Sequence, residues 1–243
     1  MKKWIVAAAL ASLALTAQAA EKIRFAASAT YPPFESLDRE NKLVGFDIDL
    51  AKALCQQMKA ECTFTNNAFD SLIPSLKFRR YDAVISGMDI TTERSKQVDF
   101  TQPYYANSAI VIARKGQFSN FGELKGKRIG VENGTTHQKY LQDKHPEVKV
   151  VAYDSYQNAI LDMKSGRLDG VFGDSAVVNQ WLKTNADLAT VGEHVTDADY
   201  FGTGLGIAVR KGNTVLRDQF NQALNELKAN GSWQQLNQKW FPE

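Results

Sequence analysis

The sequence predicts an α/β protein built as two similar lobes. Three observations carry this. Strand-like and helix-like segments alternate along the chain, one helix–turn–strand unit recurs at a fixed offset of 87 residues, and 243 residues leave room for two small domains.

The first residues set the compartment. Lys2 and Lys3 open the chain, residues 4–15 are uncharged and mostly apolar, and Ala17 and Ala19 put small residues where a signal peptidase reads. This is the three-part secretory pattern, and its apolar run is too short to span a bilayer. Residues 1–19 are therefore expected to be a signal peptide, cleaved after Ala19. The full chain carries 29 Lys and Arg against 27 Asp and Glu. Loss of Lys2 and Lys3 leaves the mature chain with 27 of each sign and no net charge. A nucleic-acid surface needs clustered basic excess, so that class is set aside. Cys55 and Cys62 stand seven apart, and in an exported protein such a pair reads as a disulfide more readily than as a metal site.

The elements follow in order. Residues 22–27 read as a strand. Residues 46–58 read as a helix, with Ile48, Ala51, Leu54, Cys55 and Met58 on one face and Asp47 and Asp49 where acids suit a helix start. Strands are expected at 81–86, 127–131, 148–153 and 169–172, and Val177, Val178, Trp181 and Leu182 mark another helix face. Such alternation argues for mostly parallel sheets. Residues 69–87 lie over residues 156–174 without gaps, with Ile73/Ile160, Lys77/Lys164, Arg80/Arg167, Asp82/Asp169 and Val84/Val171 identical. Both copies read helix, tight turn, buried strand, then a polar residue.

Open α/β sheets bind ligands beyond the carboxyl ends of their strands, so the candidate site residues are the polar ones that follow each strand. After 81–86 come Ser86, Gly87 and Asp89, then Thr91 or Thr92 as a cap for a helix that carries Arg94. A guanidinium beside a helix start suits a carboxylate, although Arg94 in a surface ion pair with Asp89 or Glu93 fits the spacing as well. Glu132, Thr135, Thr136 and His137 follow the 127–131 strand, where plain helix capping by Thr is the alternative. Asp174 can face an ammonium, cap the next helix, or both. Tyr31 and Phe69 offer flat rings for stacking, or for packing on the core rim.

Several stretches carry a resemblance over essentially the whole mature chain: Tyr31-Pro-Pro-Phe-Glu-Ser36, Gly45-Phe-Asp-Ile-Asp-Leu-Ala-Lys-Ala-Leu54, Leu72-Ile-Pro-Ser-Leu76, Ile90-Thr-Thr-Glu-Arg94, Phe100-Thr-Gln-Pro-Tyr-Tyr105, Leu124-Lys-Gly-Lys-Arg-Ile-Gly130 and Gly134-Thr-Thr136. Together they resemble the polar amino-acid-binding proteins of bacterial ABC importers, extracellular solute-binding family 3. Arginine binders are the most similar group, followed by histidine and lysine/arginine/ornithine binders. The resemblance implies a type II periplasmic binding protein fold, two αβ lobes joined by a two-strand hinge. The crossings would fall near 107–113 and 202–207, with lobe 1 at 20–108 and 204–243 and lobe 2 at 109–203.

It also implies roles. Arg94 clamps the ligand carboxylate with Thr136, Asp174 takes the ammonium beside Asp89 and the Gly87 carbonyl, Tyr31 and Phe69 sandwich the side chain, and Ser86 lines the wall. His137 stands where the family often has Gln. Two positions depart from basic-amino-acid binders. Ser28 replaces an Asp three before the stacking Tyr, and Glu132 replaces an apolar residue before Gly-Thr-Thr. Glu132, with Glu35, is thus the candidate partner of a cationic side chain, unless both stay on the solvated rim. The implied protein is a periplasmic monomer that needs no cofactor or metal, binds an amino acid and meets an inner-membrane ABC permease. An enzyme on the same fold, a dehydratase or lyase, is the rival class, with a receptor-docking sensor behind it. His137, His145 and His194 show no metal-ligand spacing.

Overall fold

The computed structural model describes residues 21–201 and 203–242. The expected signal peptide and the cleavage after Ala19 lie outside the described residues, as does Gly202 at the second crossing. Strand β1 (Lys22–Ala27) leads into a small hairpin sheet of β2 (Thr30–Tyr31), β3 (Glu35–Leu37) and β4 (Leu43–Val44). Helix α1 (Phe46–Gln57) buries Phe46, Ile48, Leu50, Ala51, Leu54 and Cys55. β5 (Glu61–Asn66) then pairs parallel with β1, from Lys22 opposite Glu61 to Ala27 opposite Asn66. Cys55 is bonded to Cys62, which ties the last turn of α1 to the second residue of β5. A short 3-10 turn (Phe69–Ser71) precedes α2 (Leu72–Lys77), β6 (Ala83–Val84), α3 (Thr92–Ser95) and β7 (Val98–Phe100).

The chain then crosses to β8 (Ala109–Arg114), β9 (Arg128–Glu132), α4 (Thr136–Lys144), β10 (Lys149–Tyr153), α5 (Tyr156–Lys164), β11 (Gly170–Asp174), α6 (Ser175–Thr184), β12 (Leu188–Val195) and α7 (Ala198–Phe201). It returns as β13 (Ala208–Arg210), α8 (Thr214–Ala229) and α9 (Ser232–Trp240). Two five-stranded sheets result, ordered β5-β1-β6-β13-β7 and β10-β9-β11-β8-β12. Among the described residues no helix is long and apolar enough to cross a membrane.

The expectation of mostly parallel sheets holds for strand direction, with one reversed strand in each sheet. Each sheet has two parallel pairings, those of β1 with β5 and β6 and of β9 with β10 and β11. Each also has two antiparallel ones, those of β13 with β6 and β7 and of β8 with β11 and β12. The strands that arrive directly from a crossing, β8 and β13, enter their sheets from the cleft side and so run against the strands already there. The expected 81–86 strand narrows to Ala83–Val84, although Asp82 N and Ile85 N still bond to Arg24 O and Ala26 O. Residues 109–113 of the expected first crossing already belong to β8, while 205–207 lie inside the expected second one. The segment after β7 pairs with the segment before β13 through Tyr104 N to Leu205 O (2.9 Å), Leu205 N to Tyr105 O (2.9 Å) and Thr101 N to Ile207 O (3.0 Å).

The 87-residue repeat is real in three dimensions. Residues 69–77 and 156–164 both coil, and Arg79 (φ 59°) and Gly166 (φ 79°) both turn left-handed after them. Asp82 Oδ2 accepts from Arg24 N and Nε at 3.0 and 2.9 Å, and Asp169 Oδ2 accepts from Arg128 N and Nε at 2.7 and 3.3 Å. The guanidinium of each arginine continues to the left-handed turn, Arg24 to Arg79 O and Arg128 to Gly166 O. The identical aspartates therefore staple the same turn to β1 in one lobe and to β9 in the other. Beneath them Phe25, Phe46, Phe172, Phe220 and Tyr156 are wholly buried, each worth roughly 1.5–3 kcal/mol over exposure.

Candidate functional site

Residues that follow the carboxyl ends of β1, β6, β9 and β11 line one narrow cavity between the lobes, with a volume of about 10 Å³. Ser28, Tyr31, Phe69, Gly87, Asp89, Arg94, Glu132, Thr136, His137 and Asp174 all face it. Ser86 stands one layer behind, its Oγ accepting from Ser28 N (2.9 Å) and donating to Glu35 Oε1 (2.8 Å).

One group of charges gathers at the start of α3. Thr91 Oγ1 accepts from Arg94 N at 3.2 Å and caps this short helix. Arg94 is buried, donates to Asp89 O (3.1 Å) and Gly134 O (3.3 Å), and lies over the Phe69 ring at 5.4 Å. It is therefore not in the surface ion pair that its spacing allowed; Glu93 instead lies near the exposed Lys96. Asp89 Oδ2 accepts from Thr136 Oγ1 at 2.7 Å. Asn107 Nδ2, on the crossing segment, donates at 2.7 Å both to Asp89 Oδ1 and to Asp174 Oδ1. Burial and the neighbouring Asp174 push the Asp89 carboxyl up to about 7, against the pull of Arg94 and His137.

Asp174 occupies the cap position of α6, yet its side chain makes no capping bond. It points instead at Asn107 and at His137, whose Nε2 lies 3.0 Å away without an aligned hydrogen bond. The other ring nitrogen of His137 meets Tyr156 Oη at 3.2 Å.

A second group lies along β3 and β9. Glu132 is 3 % exposed and accepts from Thr30 Oγ1 at 3.0 and 3.2 Å. Burial drives its carboxyl up to about 8; the Thr30 bond opposes this, and Asp154 and Asp70 add to it. Glu35 is 1 % exposed, and burial with nearby Asp47 raises its carboxyl well above the ordinary range. Neither acid is on the solvated rim.

Both expected rings line the cavity. Tyr31 stacks on Tyr156 with ring centres 5.1 Å apart, and its hydroxyl accepts from Asp174 N at 3.0 Å. Phe69 lies under Arg94. Two glycines allow the close fit. A β-carbon at Gly87 (φ +49°) would sit 3.1 Å from the Tyr31 ring, and one at Gly134 (φ +76°) would sit 2.9 Å from Asp70 Cβ across the cleft.

Residues 23–243 match the family model for bacterial extracellular solute-binding proteins, family 3. The chain belongs to that family. Within this solute-binding family it is 68 % identical, over the full length of both chains, to the ABC transporter arginine-binding protein 1 of Escherichia coli K12. It is 48 % identical to the arginine-binding periplasmic protein of Mannheimia haemolytica, with 93 % of each chain covered. Among solved structures, a Salmonella typhimurium periplasmic binding protein described for its high arginine specificity superposes with a TM-score of 0.88 at 56 % identity, covering 91 % of this chain and 100 % of the other.

Sequence reading of this solute-binding protein missed Thr30 and Tyr156 as lining residues and Asn107 and Asp47 behind them. One signal was available for Tyr156. It is the counterpart of Phe69 in the 87-residue repeat, and both begin the equivalent coil. Asp47 was hidden by its place in a helix first turn, where an acid has an ordinary reason to be.

Proposed function

We propose that the chain is the periplasmic solute-binding component of an ABC amino-acid importer and that its ligand is L-arginine. Charge placement carries the reading: a guanidinium with two carboxylates at one group, Arg94, Asp89 and Asp174, and two further buried carboxylates, Glu132 and Glu35, at the other. A zwitterion with a cationic tail complements both. Arg94 and Thr136 would hold the α-carboxylate, Asp174 and Asp89 the ammonium beside the Gly87 carbonyl, Tyr31 and Phe69 the alkyl stem, and Glu132 the guanidinium. Ser28, Ser86 and His137 shape the wall around them. The arginine-binding relatives support the choice of side chain.

Lobe 1 is proposed as residues 20–108 and 204–243 and lobe 2 as 109–203. Every strand of the first sheet lies in the former and every strand of the second in the latter. Ligand would dock on lobe 1 and draw lobe 2 over it. Contacts that span the cleft, Thr30 to Glu132, Thr136 to Asp89, Asp174 to Tyr31 and Arg94 to Gly134, hold the closed form, and the ligand would add to closure what it gains by touching both lobes at once. The closed monomer, exported and freed of its signal peptide after Ala19, would then meet the permease.

Thermal shift against the twenty amino acids, ornithine and citrulline tests the ligand. The largest shift is expected with arginine; no shift with any of them overturns the reading. Mass spectrometry of ligand released after incubation tests binding against catalysis, and a converted product would mark an enzyme.

A further inference from the structure

Glu35 and Asp47 form a buried acid pair behind the cavity wall. Asp47, 0 % exposed in the first turn of α1, accepts from Gly87 N (2.7 Å) and Tyr104 Oη (2.9 Å) through Oδ2. Glu35 accepts from Ser86 Oγ through Oε1. Their remaining oxygens, Glu35 Oε2 and Asp47 Oδ1, are sealed from solvent and receive no donor. Asp47 N donates to Phe34 O (2.9 Å), next to Glu35, and the consecutive Ser86 and Gly87 hold the two carboxyl groups, so the acids lie side by side. Glu132 is the other charge that bears on Glu35. Among the described residues, no lysine, arginine or histidine forms an ion pair with Glu35, Asp47 or Glu132. Two carboxylates so placed repel, and a single proton turns that repulsion into a hydrogen bond that satisfies both orphan oxygens.

We infer that Glu35 and Asp47 hold one proton between them and that a cationic ligand side chain beside Glu35 expels it, making the pair a proton site that reads the charge of the ligand. Glu35 faces the cavity and feels the ligand directly. Asp47 does not line the cavity; it is a positioning residue that holds Gly87 and the far side of the proton. Burial lifts Asp47 to about 7 and Glu35 well above its ordinary value, so the proton is present near neutral pH and yet within reach of release. A guanidinium or ammonium beside Glu35 favours the carboxylate, and the proton passes to solvent. A neutral isostere leaves it in place. Affinity for the cation therefore rises with pH through this range, while affinity for the neutral isostere gains nothing from this pair.

The inference rests on the proposal that the cationic end of the ligand lies between Glu132 and Glu35. Calorimetric titration of the mature protein with L-arginine and with L-citrulline, near neutral pH in two buffers of different ionisation enthalpy, counts the protons released. Arginine is expected to release protons and citrulline fewer. Asp47→Asn and Glu35→Gln should each cut the excess of arginine release over citrulline release about twofold or more, with the rest of that excess coming from Glu132, while Asp89 at the ammonium contributes alike for both ligands. Either variant suffices should the other fail to fold. A purely structural role for Asp47 would weaken arginine and citrulline alike and leave the proton count unchanged, and that outcome overturns the inference. So does an absence of proton release from the parent protein. Absence of any binding heat with arginine would instead reject the proposed ligand; the titration is then run with lysine and ornithine, and failure of all three rejects the inference with it.

Discussion

Thr30 and Glu132 are hydrogen-bonded across the cleft, the Thr30 hydroxyl lying 3.0 Å from Oε1 and 3.2 Å from Oε2 of the buried carboxyl. One hydroxyl proton serves only one oxygen fully, so Glu132 keeps acceptor capacity for a ligand. If that capacity meets a guanidinium, Glu132→Gln should weaken arginine by roughly 10- to 100-fold, the worth of one charged hydrogen bond. Citrulline, isosteric but neutral, should lose far less. Calorimetry with both ligands checks this, and an arginine affinity equal to the parent's would place the guanidinium elsewhere.

Arg94 is expected to behave differently, because its group faces the end that all α-amino acids share. Arg94→Ala should weaken every amino-acid ligand by roughly a hundredfold or more, since it leaves a buried carboxylate with no cation. The same thermal-shift screen reads it: shifts should fall for all ligands together, with the order among them kept. A loss confined to arginine would assign Arg94 to the side chain.

The contrast between these two residues shows what the sequence made legible. Arg94 follows a strand, a glycine and a capping threonine, and that local grammar places it in a cleft. Glu132 was visible as a departure from a pattern, but its burial was not, because burial depends on the opposite lobe supplying Thr30. The repeat located both cavity-facing coils, yet it did not show that Tyr156 would stack on Tyr31, a contact made by residues 125 apart in the chain. The one reversed strand in each sheet was hidden for a similar reason: alternation reports which elements occur, while the crossings decide which way β8 and β13 run.

Buried acids should also set the pH dependence of stability. Glu132 has its carboxyl raised from 4.5 to about 8, so between those values the folded chain binds more protons than the unfolded one. The slope of unfolding free energy with pH is then negative, and stability that is complete below about 4.5 is lost as pH rises through about 8. The Glu132 share is on the order of a few kcal/mol. Urea denaturation of the ligand-free protein from pH 5 to 9 should show the decline, and Glu132→Gln should flatten it. A parent protein whose stability rises over that range would contradict the assignment.

The Cys55–Cys62 bond closes a short loop between the last turn of α1 and β5, away from the cavity. A loop this short removes little unfolded-state entropy, so Cys55→Ser with Cys62→Ser should cost about 2–3 kcal/mol at most and leave ligand affinity nearly unchanged. Chemical denaturation with and without arginine separates the two effects. A large loss of affinity would mean that the end of α1 communicates with Asp47 at its start.

Asn107 gives the sharpest test of how the lobes are joined. Its single Nδ2 donates to Asp89 Oδ1 and to Asp174 Oδ1, both at 2.7 Å, and so spans the two acids from the crossing itself. Asn107→Ala removes a donor from each carboxylate and leaves their mutual repulsion unshielded, while Arg94 and Thr136 stay in place on Asp89. Affinity should fall for every amino acid, by roughly tenfold or more for two charge-assisted bonds that water or the ligand ammonium can partly replace. Because Asp89 already sits near 7, loss of Asn107 should also push its protonation to higher pH, so the deficit should be larger at pH 6 than at pH 8. Calorimetry of the variant at those two values decides: an equal deficit at both would mean that Asn107 acts on the hinge backbone and not through the two carboxylates.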